Sequence, residues 1–177
     1  QKRYADATRV LDKLLEIKPD EMNYFLKLGY LYDKQNLLED AEQVYLKVIN
    51  SYPNKPEGYN HLGYMFAERN HRLDDAERLI RKALELSPDS GDIVDSLGWV
   101  LFRKNMYPQA EAELLRALQL KGDDAVIIEH IGDVLLAQNR TQEAIERWQQ
   151  ALLLDAPEED KERIRGKIEK AMSVLRP

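Results

Sequence analysis

Histidines and carboxylates are the side chains of this sequence that could support acid–base or metal chemistry. The chain has three histidines, His61, His71 and His130, together with 32 aspartates and glutamates. Neither His61 nor His130 has a partner four residues further on, the spacing that places two metal ligands on one face of a helix. We therefore expect both to be polar residues of a groove or surface, and His71 to lie in an exposed turn.

The sequence also lacks the other residue groups on which catalysis depends. It contains no glycine-rich phosphate loop and no cysteine, which excludes thiol and disulfide chemistry. Its carboxylates mostly stand near lysine or arginine, as in the series Glu77, Arg78, Arg81, Lys82 and Glu85, a pattern typical of a solvated, ion-paired helix face. These residues predict a protein that is not an enzyme and uses no cofactor or metal.

Composition and charge narrow the possible partners. Hydrophobic residues make up 44% and charged residues 33% of the 177 residues, which is typical of a helix-rich protein. The net charge of −6 argues against nucleic acid as a partner, because a phosphate backbone is bound by a basic surface. No apolar run approaches the roughly 18 residues of a membrane-spanning helix, so we expect no direct membrane insertion by this segment.

Four glycines recur at a nearly constant spacing along the chain. Gly29, Gly63, Gly98 and Gly132 are separated by 34, 35 and 34 residues, and each follows leucine or isoleucine. A fixed period of about 34 residues is typical of a helical repeat array. Such arrays present an extended groove rather than a catalytic pocket, so the spacing favours a binding function.

Numbering each repeat so that its glycine stands at position 8 divides the chain into units. Alanine recurs at position 20 as Ala41, Ala110 and Ala144, whereas Ala76 stands one place late, which indicates one inserted residue near His71. The predicted segments are a half unit at 1–21, full units at 22–55, 56–90, 91–124 and 125–157, and a terminal segment at 158–177.

The recurring pattern resembles the tetratricopeptide repeat (TPR). The shared features are a large apolar residue at position 4, Leu-Gly at 7 and 8, an aromatic residue at 11, alanine at 20 and 27, and proline at 32. The resemblance implies an all-α fold, a right-handed superhelical solenoid of antiparallel helix pairs, with about four full repeats. In each pair, helices A and B would cross where positions 8 and 20 are small.

The turns between helices A and B also have a recurring sequence pattern. Position 15 is asparagine in all four units, as Asn36, Asn70, Asn105 and Asn139. Helices commonly end in a left-handed residue, and asparagine is the usual substitute for glycine there. Pro108 stands where helix B of the third unit should begin, and proline suits the first turn of a helix.

The N-terminal segment matches only the second half of a unit. Ala7 corresponds to position 20, Leu11 to position 24 and Pro19 to position 32. The segment therefore predicts a helix B without its helix A. We expect the natural chain to extend further toward its N-terminus, the alternative being that this helix is an N-terminal cap.

The C-terminal segment departs from the repeat pattern and is predicted to be a capping helix. Acidic residues open it at 158–160 and Arg176 closes it, which complements the helix dipole. We expect Pro177 to be the true C-terminus. The apolar residues of the segment fall on one helical stripe: Ile164, Ile168, Ala171 and Leu175.

The resemblance also implies that positions 2, 5, 6, 9, 12 and 13 of each helix A line a concave groove. We call this side the helix-A face. Position 9 holds Tyr30, Tyr64, Trp99 and Asp133, where the family commonly has asparagine, and Phe102 stands at position 12 of the third unit. Aromatic side chains are frequent binding anchors. The pattern predicts an aromatic ladder along the groove, the alternative being that these side chains pack into the core.

Polar residues flank this ladder at positions 2 and 5, and most of them are acidic. They make the groove acidic toward its C-terminal half, which predicts a peptide or protein partner with apolar and basic side chains. The residues are Glu57, Asn60, Asp92, Asp95 and Glu129.

Two narrower resemblances point in different directions. TPR proteins that grip the C-terminal tails of chaperones use lysine, asparagine and arginine, whereas this chain has Leu26, Tyr30, Tyr64, Asp92 and Ser96 at those positions, which argues against that activity. The runs 95–103 and 129–135 are similar to the last repeats of bacterial envelope lipoproteins, some of which are adaptors for a periplasmic protease. That similarity favours a periplasmic or outer-membrane-tethered protein in a bacterium, the alternative being a cytoplasmic one.

Three functional hypotheses follow from the sequence. The leading one is a non-enzymatic scaffold or adaptor that binds a protein or peptide in its groove. The second is an assembly module that self-associates through its N-terminal end, where an uncovered apolar face would favour association. The third is an accessory repeat region of a larger protein, such as a bacterial envelope lipoprotein or an enzyme with its catalytic domain upstream.

Overall fold

The computed structural model describes residues 2–18 and 20–175, so Gln1, Pro19, Arg176 and Pro177 lie outside the described residues. Within them the chain is all α-helical, which confirms the predicted fold class. The helices are α1 (Lys2–Ile17), α2 (Met22–Lys34), α3 (Leu38–Ser51), α4 (Pro56–Glu68), α5 (Leu73–Leu86), α6 (Gly91–Arg103), α7 (Tyr107–Lys121), α8 (Ala125–Ala137), α9 (Thr141–Leu152) and α10 (Glu158–Leu175).

The helices form pairs within two compact units, Gln1–Pro88 and Asp89–Pro177. In the first, α2 pairs with α3 and α4 with α5, and in the second, α6 pairs with α7 and α8 with α9. The first helix of each pair is a helix A and the second a helix B. These four A helices begin at the first residues of the predicted full units, namely Met22, Pro56, Gly91 and Ala125.

The asparagines at position 15 end the A helices, as predicted. Their φ angles of 62°, 50°, 61° and 62° are left-handed, in the order Asn36, Asn70, Asn105 and Asn139. The next amide then donates to the carbonyl five residues back, as Leu37 N does to Tyr32 O at 2.9 Å. The inserted residue of the second repeat, 56–90, is accommodated by Arg72, which precedes α5 with a φ of 49°.

Each helix A packs closely on its helix B at the position-8 glycine. In the fourth repeat, a Cβ added to Gly132 would lie 2.3 Å from Nε1 of Trp148, closer than real carbon atoms approach. Trp148 is only 1% exposed and its Nε1 donates to the Glu129 carbonyl oxygen at 3.2 Å. The position-20 alanines beside these crossings are fully buried: Ala41, Ala76, Ala110 and Ala144.

The last helix, α10, packs against α9 and extends the repeat further than the sequence analysis predicted. Ile164 and Ala171 of its apolar stripe are buried, at 1% and 4% exposure. Gly166 lies 34 residues after Gly132, so α10 has the register of a helix A. Added to Gly166, however, a Cβ would meet no atom within 4 Å.

The outer side of α10 is charged where the other A helices are apolar. At positions 4, 7 and 11 the preceding helix A buries Ile128, Ile131 and Leu135. In α10 the same positions hold exposed charged residues: Glu162, Arg165 and Glu169. These side chains are readily solvated, so this side of α10 lacks the apolar residues with which the other A helices pack; its role as a cap stays a prediction.

Candidate functional site

The helix-A face of the first unit carries tyrosines that remain accessible. Tyr30 on α2 is 48% exposed, and Nζ of Lys34 lies 5.3 Å from its ring centroid. Tyr64, at the same position of α4, is half-buried. Both side chains therefore keep surface that a bound segment could cover.

Two polar residues of α4 lie on this face with an unsatisfied acceptor each. Glu57 Oε2 and Asn60 Oδ1 are buried atoms, and neither has a hydrogen-bond partner. The two residues are three apart, so they share one side of the helix. A buried acceptor without a donor costs free energy, so this pair marks a place on the helix-A face where two donors are missing.

The ladder does not continue unchanged in the second unit, because Trp99 is only 8% exposed. Its ring stacks on His130 and Phe102, with centroid distances of 4.2 and 5.0 Å. The packing alternative therefore describes Trp99, whereas Tyr30 keeps an exposed ring and its place in a groove stays a prediction.

His130 is also buried, at 6% exposure, which corrects the expectation that it is a groove or surface residue. Its Nδ1 lies 2.8 Å from Oδ1 of Asp95, which is 7% exposed. Burial lowers the pKa of His130, but the charge and hydrogen bond of Asp95 outweigh it and hold the pKa above its ordinary value. Asp95 and His130 are 35 residues apart, so the repeat period is the sequence signal from which their contact could have been predicted.

We expect His130 to titrate above its ordinary pKa of 6.5 in the folded chain. Because the folded-state pKa is raised, the stabilisation is fully present below about pH 6.5 and is lost as the pH rises through the folded value. Asp95→Asn should move the pKa of His130 downward, measured from its side-chain NMR signals. Asp92→Asn is the control, since Asp92 is exposed and pairs with Lys121. An equal shift in both variants would contradict this account.

The predicted acidic residues of α8 are already neutralised by basic residues of α10. Glu129, only 3% exposed, accepts from Arg163 at 2.7 and 2.9 Å and from Lys167 at 2.6 Å. Lys167 also donates to Asp133 at 2.7 and 2.8 Å. Arg163 and Lys167 stand 34 residues after Glu129 and Asp133, so the repeat period joins them too.

Burial and these ion pairs shift the two carboxylates in opposite directions. Burial raises the pKa of Glu129, but hydrogen bonds from Arg163 and Lys167 outweigh it and hold the pKa below its ordinary value. Burial raises the pKa of Asp133, and Lys167 only partly offsets this. Glu129 is therefore the anion that depends most on α10.

An apolar cleft of about 400 Å³ opens on the helix-A face of the second unit. Two of the predicted groove residues, Phe102 and Asp133, contribute to it. Leu136 and Val174 expose 40% and 77% of their surface beside it. The complete lining is Phe102, Asp133, Leu136, Ala137, Thr141, Trp148, Lys167, Lys170, Ala171 and Val174.

The described residues bear on two further kinds of site, a metal centre and a membrane span. Among residues 2–18 and 20–175 no three histidines or carboxylates stand close enough to hold a metal. None of the described helices is both long and apolar enough to cross a membrane. The ion-paired surface predicted on α5 is confirmed, with Arg81–Glu77 at 2.7 Å and Lys82–Glu85 at 2.8 Å.

Sequence comparison links this fold to known repeat proteins. Two family models, both described as tetratricopeptide repeat, match residues 24–55 and 67–125. The TPR repeat-containing protein PA4667 of Pseudomonas aeruginosa is 33% identical over 108 residues, or 61% of this chain. The match covers 18% of that protein, so the chain spans less than a fifth of its relative.

Solved structures show the same fold at low sequence identity. TTC0263, a thermophilic TPR protein of Thermus thermophilus, superposes with a TM-score of 0.85 at 22% identity, covering 97% of this chain and 91% of its own. The Cut9–Hcn1 hetero-tetramer of the APC/C gives 0.85 at 19% identity, covering 98% of this chain and 34% of the matched chain. These likenesses concern the fold alone.

Proposed function

Because this chain belongs to the tetratricopeptide-repeat family, whose helical repeats are protein–protein interaction scaffolds, we propose that it is a non-enzymatic scaffold or adaptor that binds a peptide or protein segment along its helix-A faces. The observation that carries the proposal is the pair of unsatisfied acceptors on α4, Glu57 Oε2 and Asn60 Oδ1. Folded chains rarely leave such atoms unpaired unless something else satisfies them.

The chemistry of this face favours a partner with apolar and basic side chains. A lysine or arginine would supply the donors that Glu57 and Asn60 lack, and its charge would complement the Glu57 carboxylate. An apolar side chain beside it would cover the exposed part of Tyr30. An aromatic ring buries a large apolar area on binding at little cost in side-chain conformational entropy. The first unit thus has a polar and an apolar contact on one face.

Selection from a random peptide library tests the proposal. We expect the peptides that bind the purified chain to be enriched in lysine or arginine next to an apolar residue. Glu57→Gln should weaken the binding of a selected peptide about tenfold, because hydrogen bonds to charged groups contribute about 1.5–3 kcal/mol. Tyr30→Ala should also weaken it, with little effect on folding, since the side chain is half exposed.

The matched control is Glu85→Gln, which removes the same charge from α5, a helix B of the first compact unit. Glu85 is 66% exposed and pairs only with Lys82 among the ion pairs of the described residues. Selected peptides without basic residues, or an equal loss of affinity in Glu57→Gln and Glu85→Gln, would refute the proposal.

The length of the matched relative bears on the third hypothesis. We propose that it is an accessory repeat region of a longer bacterial protein, supported by its match to a small part of PA4667. A location in the cell envelope remains the sequence-based prediction.

Self-association through α1 is the alternative supported by the exposure of Val10 and Ile17, at 57% and 74%. Sedimentation at high protein concentration would detect it.

A further inference from the structure

The charges around the apolar cleft of the second unit leave one cation without a partner. Glu129 and Asp133 are balanced by Arg163 and Lys167 through the ion pairs of α8 and α10. Lys170 lies one turn beyond Lys167 and lines the same cleft. Its ammonium group is exposed and has no hydrogen-bond or ion-pair partner in the described part of the chain.

The predicted attraction for basic side chains therefore does not extend to this cleft. Its carboxylates are already paired, and the unpaired charge at its edge is positive. The interior offers apolar surface from Phe102, Leu136 and Val174. A volume of about 400 Å³ lies toward the low end of the roughly 300–1,000 Å³ of ligand pockets, which suits a large side chain and its adjoining backbone.

We propose that this cleft binds an internal segment of a partner protein in which a large apolar side chain stands next to an aspartate or glutamate. The apolar side chain enters the cleft, and the neighbouring carboxylate pairs with Lys170. This inference rests on the proposed function and gives the second unit a preference opposite in charge to that of the first. α10 would then form a wall of the binding site in addition to covering α9.

Two blocked peptides, acetylated and amidated so that only a side chain can supply the carboxylate, provide the probe. They are identical except for Leu-Asp-Leu or Leu-Asn-Leu at the centre. Binding is followed by NMR of the ¹⁵N-labelled chain, where the indole signal of Trp148 reports on the cleft. We expect shifts at Trp148, Leu136 and Ala171, and about three- to fivefold tighter binding of the aspartate peptide, as for an exposed ion pair.

Two variants separate the charge from the cleft itself. Lys170→Gln should remove the preference for aspartate while leaving the affinity for the asparagine peptide unchanged. Ala137→Leu adds a side chain at the half-buried end of α8 and should weaken both peptides at least about tenfold, because it fills space that a leucine would otherwise occupy. Circular dichroism checks that both variants remain helical.

Each of the other outcomes overturns the inference. Equal affinity for the two peptides would show that Lys170 does not bind the peptide carboxylate. NMR shift changes confined to other helices would show that the peptides bind outside the cleft. Laurate that displaces the aspartate peptide at comparable affinity would make a fatty acid the occupant. If neither blocked peptide binds the cleft while library-selected peptides still bind through Glu57, the proposed function stands and this inference fails; if no peptide binds at all, both fail.

Discussion

Gly132→Ala is expected to lower the free energy of unfolding of the second unit by about 1–3 kcal/mol, the usual cost of overpacking. The loss occurs although alanine is favoured over glycine inside a helix by about 1 kcal/mol. The added methyl group would lie 2.3 Å from Nε1 and 2.5 Å from Cδ1 of Trp148. Trp148 cannot swing aside freely, because its ring is buried and its indole N–H is bonded to the Glu129 carbonyl.

Gly166→Ala is the matched control, because Gly166 occupies the same repeat position in α10. A methyl group there meets no atom within 4 Å, so only the backbone preference remains. We expect this variant to be as stable as the parent or more stable by up to about 1 kcal/mol. Urea unfolding, with hydrogen exchange in α8 and α10 as the readout, measures the change in the free energy of unfolding in both variants. Changes of the same sign and size would contradict the helix crossing described here.

Removing both cations that hold Glu129 should have a still larger effect. In the Arg163→Met, Lys167→Met double variant, a carboxylate that is 3% exposed loses all its charged donors. An unpaired buried charge costs about 3–5 kcal/mol. The chain can relieve this by releasing α10 into solvent, so we expect hydrogen exchange in α10 to rise steeply while α6 and α7 remain protected.

Two further variants identify the cause. Arg165→Met removes a cation from the exposed side of α10, where its partner is Glu158, and should change the exchange of α10 little. Glu129→Gln in the double variant removes the buried charge and should restore most of the protection. If Arg165→Met is as damaging as the double variant, or if Glu129→Gln restores nothing, the Glu129 ion pairs do not hold α10.

The fold could be predicted because its determinants are local and repeated. Asn36 and its three equivalents end the A helices through a left-handed backbone that few residue types adopt. Gly132 marks the helix crossing because a Cβ there would lie 2.3 Å from Trp148, and Ala144 is fully buried. The sequence pattern does not reveal that α10 has the register of a helix A. At positions 4, 7 and 11, where the other A helices have apolar residues, α10 has Glu162, Arg165 and Glu169.

The candidate site was predicted less completely, because residue type at one position does not determine which neighbour the side chain meets. Tyr30 and Trp99 share position 9, yet one is half exposed and the other stacks on His130. The acidic groove is predicted from carboxylates such as Glu129, without the basic residues of α10 that neutralise Glu129 and Asp133. A search for opposite charges one repeat period apart would have found these pairs.

The central claim is that partners bind the helix-A faces, and site-directed photo-cross-linking tests it most directly. A benzoylphenylalanine is placed at Tyr30 on α2, at Tyr64 on α4, or at Arg78 on α5, where the native side chain is 77% exposed. Each purified variant is irradiated with a library-selected peptide. We predict cross-linking from Tyr30 and Tyr64 and none from Arg78. Cross-linking from Arg78 alone would show that the partner binds the B helices and would contradict the account.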